Sequence, residues 1–317
     1  VNEYPNVEEK ANLFLEVLST DSPKAISECI SKNCNNPREC PLKSGCWGTL
    51  PENNVLLLTN WRQYWDMFDN GIIDMKDIQN IPSLTDKDQV IREAHLDNKT
   101  IVSKEHIKHF LSSLNYPLYH FDFETFDTAV PIYDKSKPWQ KVPFQYSLHI
   151  EQEDGSTEHH EFLATGEKDP RLELLEAMKQ VMGETGDVIV FNQTFEVGRL
   201  KELAEDFPEH EEWIQNVLDR IVDLAIPFKN FYYYNPSQKG KYSIKKVLPA
   251  ITGKSYDELD ISGGGDASAQ YYYSHIENKL EGKEEIRENL LKYCGLDTEA
   301  MIWIVDKLNE IVRDDKK

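Results

Sequence analysis

The run Phe121-Asp122-Phe123-Glu124-Thr125 sets two carboxylates two residues apart inside an apolar segment. On a β-strand side chains alternate between faces, so Asp122 and Glu124 share one face. Two acids buried side by side are costly unless something positive lies between them. A hard divalent cation such as magnesium or manganese takes carboxylate oxygens and meets that need; the bland alternative is an exposed strand end with two ordinary acids. Another acid, Glu196, follows Val188-Ile189-Val190-Phe191 and Asn192-Gln193-Thr194-Phe195, where a buried strand passes into a helix. Acids are common in a first helical turn for dipole reasons alone. The remaining segment is Tyr293-Cys294-Gly295-Leu296-Asp297-Thr298. On a helix Tyr293 and Asp297 share a face, close to the apolar stripe of Leu290, Cys294, Met301 and Ile304. An acid on a core-facing side calls for a partner or a metal; the alternative is an Asp at the stripe's edge beside a core tyrosine.

The elements that must position these acids are legible as patterns. Residues 7–32 read as helix and 33–53 as loop, and Val55-Leu56-Leu57-Leu58 as a short strand or the start of a helix. Apolar residues at three-to-four spacing predict short helices over 60–115. The character then changes. Residues 116–123, 144–150 and 158–163 read as strands, with the hairpin signal Asp154-Gly155 between the last two. Residues 170–182 read as helix, 188–191 as a short buried strand, 196–206 as helix, and 284–312 as a long amphipathic helix. Strand, strand, strand, helix, strand, helix is the order of an α/β domain with a mixed sheet. A domain boundary is expected at 115/116, with a smaller, mostly helical region before it.

Taken in order, D-x-E on a strand, N-x-x-F-E at a strand–helix junction and Y-x-x-x-D on a C-terminal helix resemble the DEDD exonucleases of the subgroup with Tyr in the third motif. The resemblance spans residues 116–312. It implies a ribonuclease H-like fold, two Mg2+ or Mn2+ ions, and hydrolysis of the 3′-terminal phosphodiester of DNA or RNA, single strands foremost. On that resemblance Asp122 bridges both ions, Glu124 and Asp297 hold the ion that activates water, Glu196 serves the ion at the leaving oxygen, and Tyr293 positions the water or helps deprotonate it. Thr125, Asn192 and Lys245 are the residues expected at the substrate. Glu196 departs from the family, which has Asp there. The segments Leu118-Tyr119-His120-Phe121-Asp122-Phe123-Glu124-Thr125, Val142-Pro143-Phe144-Gln145-Tyr146-Ser147-Leu148-His149 and Tyr242-Ser243-Ile244-Lys245 are also similar to a bacterial family in which such a domain follows a RecB-like nuclease region. Asp223 matches a recurring acid of those domains, with a structural hydrogen-bond role expected.

Four of the five cysteines, Cys29, Cys34, Cys40 and Cys46, are separated by four, five and five residues. Without a short C-x₂-C pair they fit a plain zinc ribbon poorly. Thiolates also hold iron–sulfur clusters, and the run from Cys34 to Trp47 resembles the cysteine tail of RecB-like iron–sulfur nucleases. An iron–sulfur cluster or Zn2+ is therefore one expectation and four free thiols the other. Most of the RecB-like region would then lie upstream of this chain, whose first residues, Val1-Asn2-Glu3-Tyr4-Pro5, suggest a cut start. Cys294 reads as a small core residue.

Composition limits the alternatives. The net charge is −21, with 39% apolar and 29% charged residues. No run of about 18 apolar residues occurs, so no membrane span is expected. An odd cysteine count without a secretory signal points to a reducing, cytoplasmic compartment. The acidity opposes nucleic-acid binding through phosphates. Either metal neutralises part of it, or it sits on solvated helix faces such as 202–212 and 281–288. Lys239, Lys241, Lys245 and Lys246 are the concentrated basic stretch. His159-His160 face opposite sides of a strand and read as surface. Tyr232-Tyr233-Tyr234 and Tyr271-Tyr272-Tyr273 read as core or rim packing ahead of base stacking. Ser262-Gly263-Gly264-Gly265-Asp266 lacks the Lys-Ser/Thr of a P-loop and reads as a mobile loop. Two other functional classes stay open, a catalytically weak nucleic-acid-binding module and an interaction scaffold organised by the cysteines.

Overall fold

The computed structural model describes residues 30–36 and 38–314, with positions 9, 11, 12, 15 and 19 before them. Cys29 and most of the helix expected over 7–32 lie outside the described residues. The chain divides into two compact units, Val1–Lys99 and Thr100–Lys317. This division falls earlier than the 115/116 boundary read from the sequence, because residues 100–115 pack into the second unit.

In the first unit the described helices are α1 (Lys43–Trp47), α2 (Trp61–Asp69) and α3 (Asp86–Asp97). Val55–Leu57 form one 3₁₀ turn rather than a strand. Trp65 of α2 packs edge-on against Trp47 and Phe68, at 6.3 and 5.5 Å between ring centroids. Thr85 caps α3 by accepting from the Asp88 N–H, which satisfies one of the donors a helix start leaves open. The buried Asp88 carboxylate in turn accepts from the Thr59 N–H and hydroxyl at 2.6 and 2.8 Å.

The second unit carries β1 (Ile101–Val102), β2 (Leu118–Phe126), β3 (Val142–Glu151), β4 (Thr157–Leu163), β5 (Val188–Val190), β6 (Ile221–Asp223) and β7 (Tyr233–Tyr234). β1 pairs with β7 in a two-stranded ribbon. The other five form one mixed sheet in the order β4-β3-β2-β5-β6. β4, β3 and β2 pair with one another antiparallel, whereas β5 and β6 run parallel to β2. This is an α/β unit with a mixed sheet flanked by helices, as the order of elements implied. The helices are α4 (Lys104–Ser112), α5 (Arg171–Val181), α6 (Thr194–Asp206), α7 (Glu211–Asp219), α8 (Ile226–Lys229), α9 (Ile244–Thr252), α10 (Gly264–Tyr271) and α11 (Lys283–Arg313).

β2 is central and divides its residues by parity. Its odd residues Tyr119, Phe121 and Phe123 meet α5, α6 and α7 through Leu174, Met178, Leu200 and Val217. From the other face Leu118 joins a second core with Ile107 of α4, Leu248 of α9 and Ile304 of α11. Phe126 enters a third core with Phe144, Tyr271 and Leu290. α11 buries Leu290, Tyr293, Cys294, Asp297, Thr298, Met301, Ile304, Val305 and Leu308, a three-and-four spacing that lays one stripe against the sheet. The tyrosine triplets supply core, as read: Tyr233, Tyr234 and Tyr271 are buried. Residues 264–271 form a helix where a mobile loop was expected, since Ala267 and Tyr271 are buried there.

Candidate metal centre

The period of β2 sets Asp122 and Glu124 on the face that α11 covers. Between Glu124 and Thr125 the pairing with β3 slips by one residue, a bulge of the kind that increases local twist. α11 is pinned to β3 by three polar ties. Gln145 Nε2 donates to the Leu290 carbonyl at 2.8 Å. The Thr298 hydroxyl lies 2.7 Å from Ser147 Oγ and 2.8 Å from His149 Nδ1. These ties bracket Tyr293 and Asp297, and they hold Asp297 opposite Asp122 and Glu124. Carboxylate oxygens of the three acids lie within 4.8 Å of one another.

Glu196 comes from the first turn of α6 and is buried. Its carboxyl contacts that of Asp122, while its Oε2 is buried with no hydrogen-bond partner. The junction that carries it is fixed by Asp223, whose Oδ1 accepts from the Asn192 N–H at 2.8 Å and the Ala225 N–H at 2.9 Å. Asp223 therefore has the structural role expected of it. Asn192 sits at φ 70°, a left-handed conformation that asparagine tolerates. Its side chain is exposed and is not among the residues that line the cavity beside the acids.

Asp122, Glu124 and Asp297 open onto a cavity of about 490 Å³, which Glu196 does not line. Thr125, Lys245 and Tyr293 line it as the sequence reading implied, together with Phe191, Phe195 and Met301. Gly264, Gly265 and Ser268 of α10 form another part of its wall. Gly264 is close to the acids, since a Cβ there would meet Glu124 Oε2 in ordinary contact at 3.4 Å. At the rim Lys141 pairs with Asp127. Lys245 donates to the Ser262 carbonyl, and its Nζ lies 4.9 Å from the Tyr293 ring centre and 5.3 Å from that of Tyr256. Tyr256, which no sequence pattern singled out, donates its hydroxyl to Asp297 Oδ1 at 2.7 Å.

Crowding four acids in a dry place raises their proton affinity. Burial, then the charges of Asp297, Glu196 and Glu124, push Asp122 well above the usual carboxylate range. Burial and Asp297 raise Glu124 to about 8. Burial raises Glu196 to about 7 and Asp297 to about 6, the latter moderated by the Tyr256 hydroxyl and Lys245. Burial and the same acids hold the Tyr293 phenol well above its usual range, so it keeps its proton. An all-oxygen donor set, carboxylates only and with a buried oxygen lacking any donor, fits hard divalent cations such as magnesium or manganese.

The cysteines contrast with the acids. Among the described residues the acid trio is the one group placed to hold a metal, and Cys34, Cys40 and Cys46 do not gather their sulfurs. The Cys40 N–H bonds back to the Cys34 carbonyl at 2.8 Å. Cys294 is a buried core residue beside Asp122, as expected. The histidine pair behaves partly as read: His159 is exposed, though it stacks on His149 of β3 at 4.1 Å between ring centres, while His160 is half-buried.

Residues 119–243 match a family described as a domain of unknown function, DUF2779. That span contains Asp122, Glu124 and Glu196 and stops before Tyr293 and Asp297. Among curated proteins, the uncharacterized protein MG366 homolog of Mycoplasma pneumoniae is 28% identical over 66% of this chain and 34% of its own length. The uncharacterized protein UU173 of Ureaplasma parvum is 28% identical over 62% of this chain and 32% of its own. The uncharacterized protein MG366 of Mycoplasma genitalium is 27% identical over 74% and 38%. The chain thus spans about a third of the length of these relatives. No solved structure gives a significant match. No described helix is long and apolar enough to cross a membrane.

Proposed function

We propose that the second unit is a two-metal-dependent 3′–5′ exonuclease that hydrolyses phosphodiester bonds of DNA or RNA, within a ribonuclease H-like fold. The observation that carries the proposal is the convergence of Asp122, Glu124 and Asp297 within 4.8 Å, with the Glu196 carboxyl in contact with that of Asp122. Asp122 would then be the shared ligand, Glu124 and Asp297 would help hold one ion, and Glu196 would help hold the other. When bound, the ions supply Lewis acidity and neutralise charge at a phosphate. The chain's own residues do the rest. Tyr256 fixes the orientation of the Asp297 carboxylate through its hydrogen bond. Tyr293 keeps its proton and so orients a water as a donor; this favours positioning over acting as a base. Lys245 brings positive charge to the mouth of the cavity, where a polyanion must approach a chain of net charge −21. Polarity and the choice of the 3′ end rest on the resemblance of the three motifs.

A second reading, a nucleic-acid-binding module with weak catalysis, is favoured by Glu196, whose longer arm stands where the resembled family has Asp. The test for both is digestion of end-labelled single- and double-stranded DNA and RNA in Mn2+, read by product length. Stepwise shortening from the 3′ end is expected, and it should be lost in Asp122→Ala and in Asp297→Ala. Full activity in both variants would sink the proposal. Nucleic-acid binding without digestion and without calorimetric Mn2+ binding would establish the weak module instead, whereas a competent site should bind Mn2+ and lose it in Asp122→Asn. For Cys29, Cys34, Cys40 and Cys46, an iron–sulfur or zinc site within a RecB-like remnant remains a proposal, decided by elemental analysis of anaerobically purified protein.

A further inference from the structure

The connection from β2 to β3, residues 127–141, begins and ends on the cavity wall at Asp127 and Lys141. It is pinned along its length. Trp139 N–H donates to the Thr128 carbonyl at 2.9 Å, the Lys137 N–H to Gln140 Oε1 at 2.8 Å, and Gln140 Nε2 to Asp206 of α6 at 3.1 Å. The buried Arg171 reaches the Asp134 carbonyl at 3.0 Å, and Tyr133 packs edge-on to Phe126. Yet this ordered loop keeps its largest side chain in water. Trp139 is 65% exposed, and Val130 and Ile132 beside it are 76% and 42% exposed. Trp139 and Lys135 both hold φ 62°, a left-handed conformation that bulky residues adopt at a cost. An anchored loop that aims an indole outward from the lip of a cavity is arranged to present it.

Charge indicates what it is presented to. Lys135, Lys137 and Lys141 fall within seven residues of a chain whose net charge is −21. Lys137 meets Glu205 at 3.8 Å, with both side chains more than 70% exposed, a pairing too weak in water to compete with a phosphate. A single strand offers bases, whose faces stack on an aromatic ring whatever the sequence, and phosphates for the flanking lysines.

We propose that the 127–141 loop is a single-strand platform, with Trp139 stacked on a base and Lys135 and Lys137 on the flanking phosphates, leading the strand into the carboxylate cavity. This rests on the exonuclease reading of that cavity, and the experiment separates the two. Fluorescence anisotropy in EDTA would be measured with labelled twelve-nucleotide oligothymidylate, oligouridylate and a duplex of equal length. Trp139→Ala should weaken both single strands by about 5- to 100-fold, the weight of one base–aromatic stack. Trp139→Phe should retain most of the affinity, and the duplex should change little. A larger loss for one single strand would identify the sugar that the platform prefers. Wild-type affinity in Trp139→Ala overturns the platform even where digestion proceeds and depends on Asp122. The expected loss in a protein that digests nothing upholds the platform and removes the exonuclease. Absence of binding by the wild type overturns it, as does a Trp139→Ala variant altered only in oligomeric state by light scattering.

Discussion

Glu124 offers a direct measure of how strongly the site demands a cation. Its carboxyl is 6% exposed, with a proton affinity raised from the usual 4.5 to about 8 by burial and by Asp297. The sign follows from proton counting. Between those two values the folded protein holds a proton that the unfolded chain has released, so stability falls as pH rises through the window. It is highest near pH 5, and the loss is complete above about 8. From 4.5 to 7 the window spans about 2.5 units, or about 3 kcal/mol at about 1.4 kcal/mol per unit. Glu196 and Asp297 shift in the same direction, but the four acids titrate together and their penalties do not add. For a unit of this size ~3 kcal/mol corresponds to about 6–12 °C in melting temperature. Thermal unfolding in EDTA should therefore show a melting point that drops between pH 5 and 8. Mn2+ should restore it at pH 7.5. The neutral isostere Glu124→Gln should melt higher than wild type in EDTA at pH 7.5, gain little from Mn2+, and show a flatter pH dependence. A wild-type melting point that is level from pH 5 to 8, or a Glu124→Gln variant no more stable than wild type, would refute the reasoning that these acids are buried against their own charge.

Two further outcomes follow from the residues that support the site. Tyr256→Phe removes the donor to Asp297 and should weaken Mn2+ binding by calorimetry about 10- to 100-fold, with an unchanged circular dichroism spectrum; unchanged affinity would show that the hydrogen bond does not orient the ligand. Thr298→Val strands Ser147 and His149 at the seam between α11 and β3, and should cost about 1–3 kcal/mol in urea unfolding. Mn2+-dependent turnover should fall with it, because Asp297 loses its register.

The acids themselves were visible in the sequence because each is tied to a periodic element. Period two places Asp122 with Glu124, and the three-and-four stripe of α11 turns Tyr293 and Asp297 inward. The mixed sheet was legible for the same reason, from apolar runs of strand length and the Asp154-Gly155 turn. What escaped notice lies in segments without a period. Tyr256 sits between α9 and α10, 41 residues from the aspartate it contacts, and nothing local marks its hydroxyl. The glycine run at 263–265 has no nucleotide motif, yet Gly264 and Gly265 line the cavity, which only the packed structure reveals. Asn192 was expected at the substrate only through the motif that it resembles, and in the fold its backbone N–H donates to Asp223 while its side chain is exposed. His149 and His159 stack through the β3–β4 register, which residue types alone do not specify. Val55–Leu57 turned out to be a 3₁₀ turn because a short apolar run carries no preference between strand and helix.

The parity of β2 has a consequence for how this chain can change over generations. Its odd positions 119, 121 and 123 are committed to one core, while Asp122 and Glu124 occupy even ones, so fold and chemistry are interleaved in a single nine-residue text. Point substitutions can explore either set separately. Gain or loss of one residue upstream of Asp122 within the strand would exchange the sets, aiming phenylalanines at the cavity and carboxylates into α5–α7. Drift in this lineage is thus expected to be tolerant of spelling and intolerant of frame across β2, with length variation displaced into the loop that follows it.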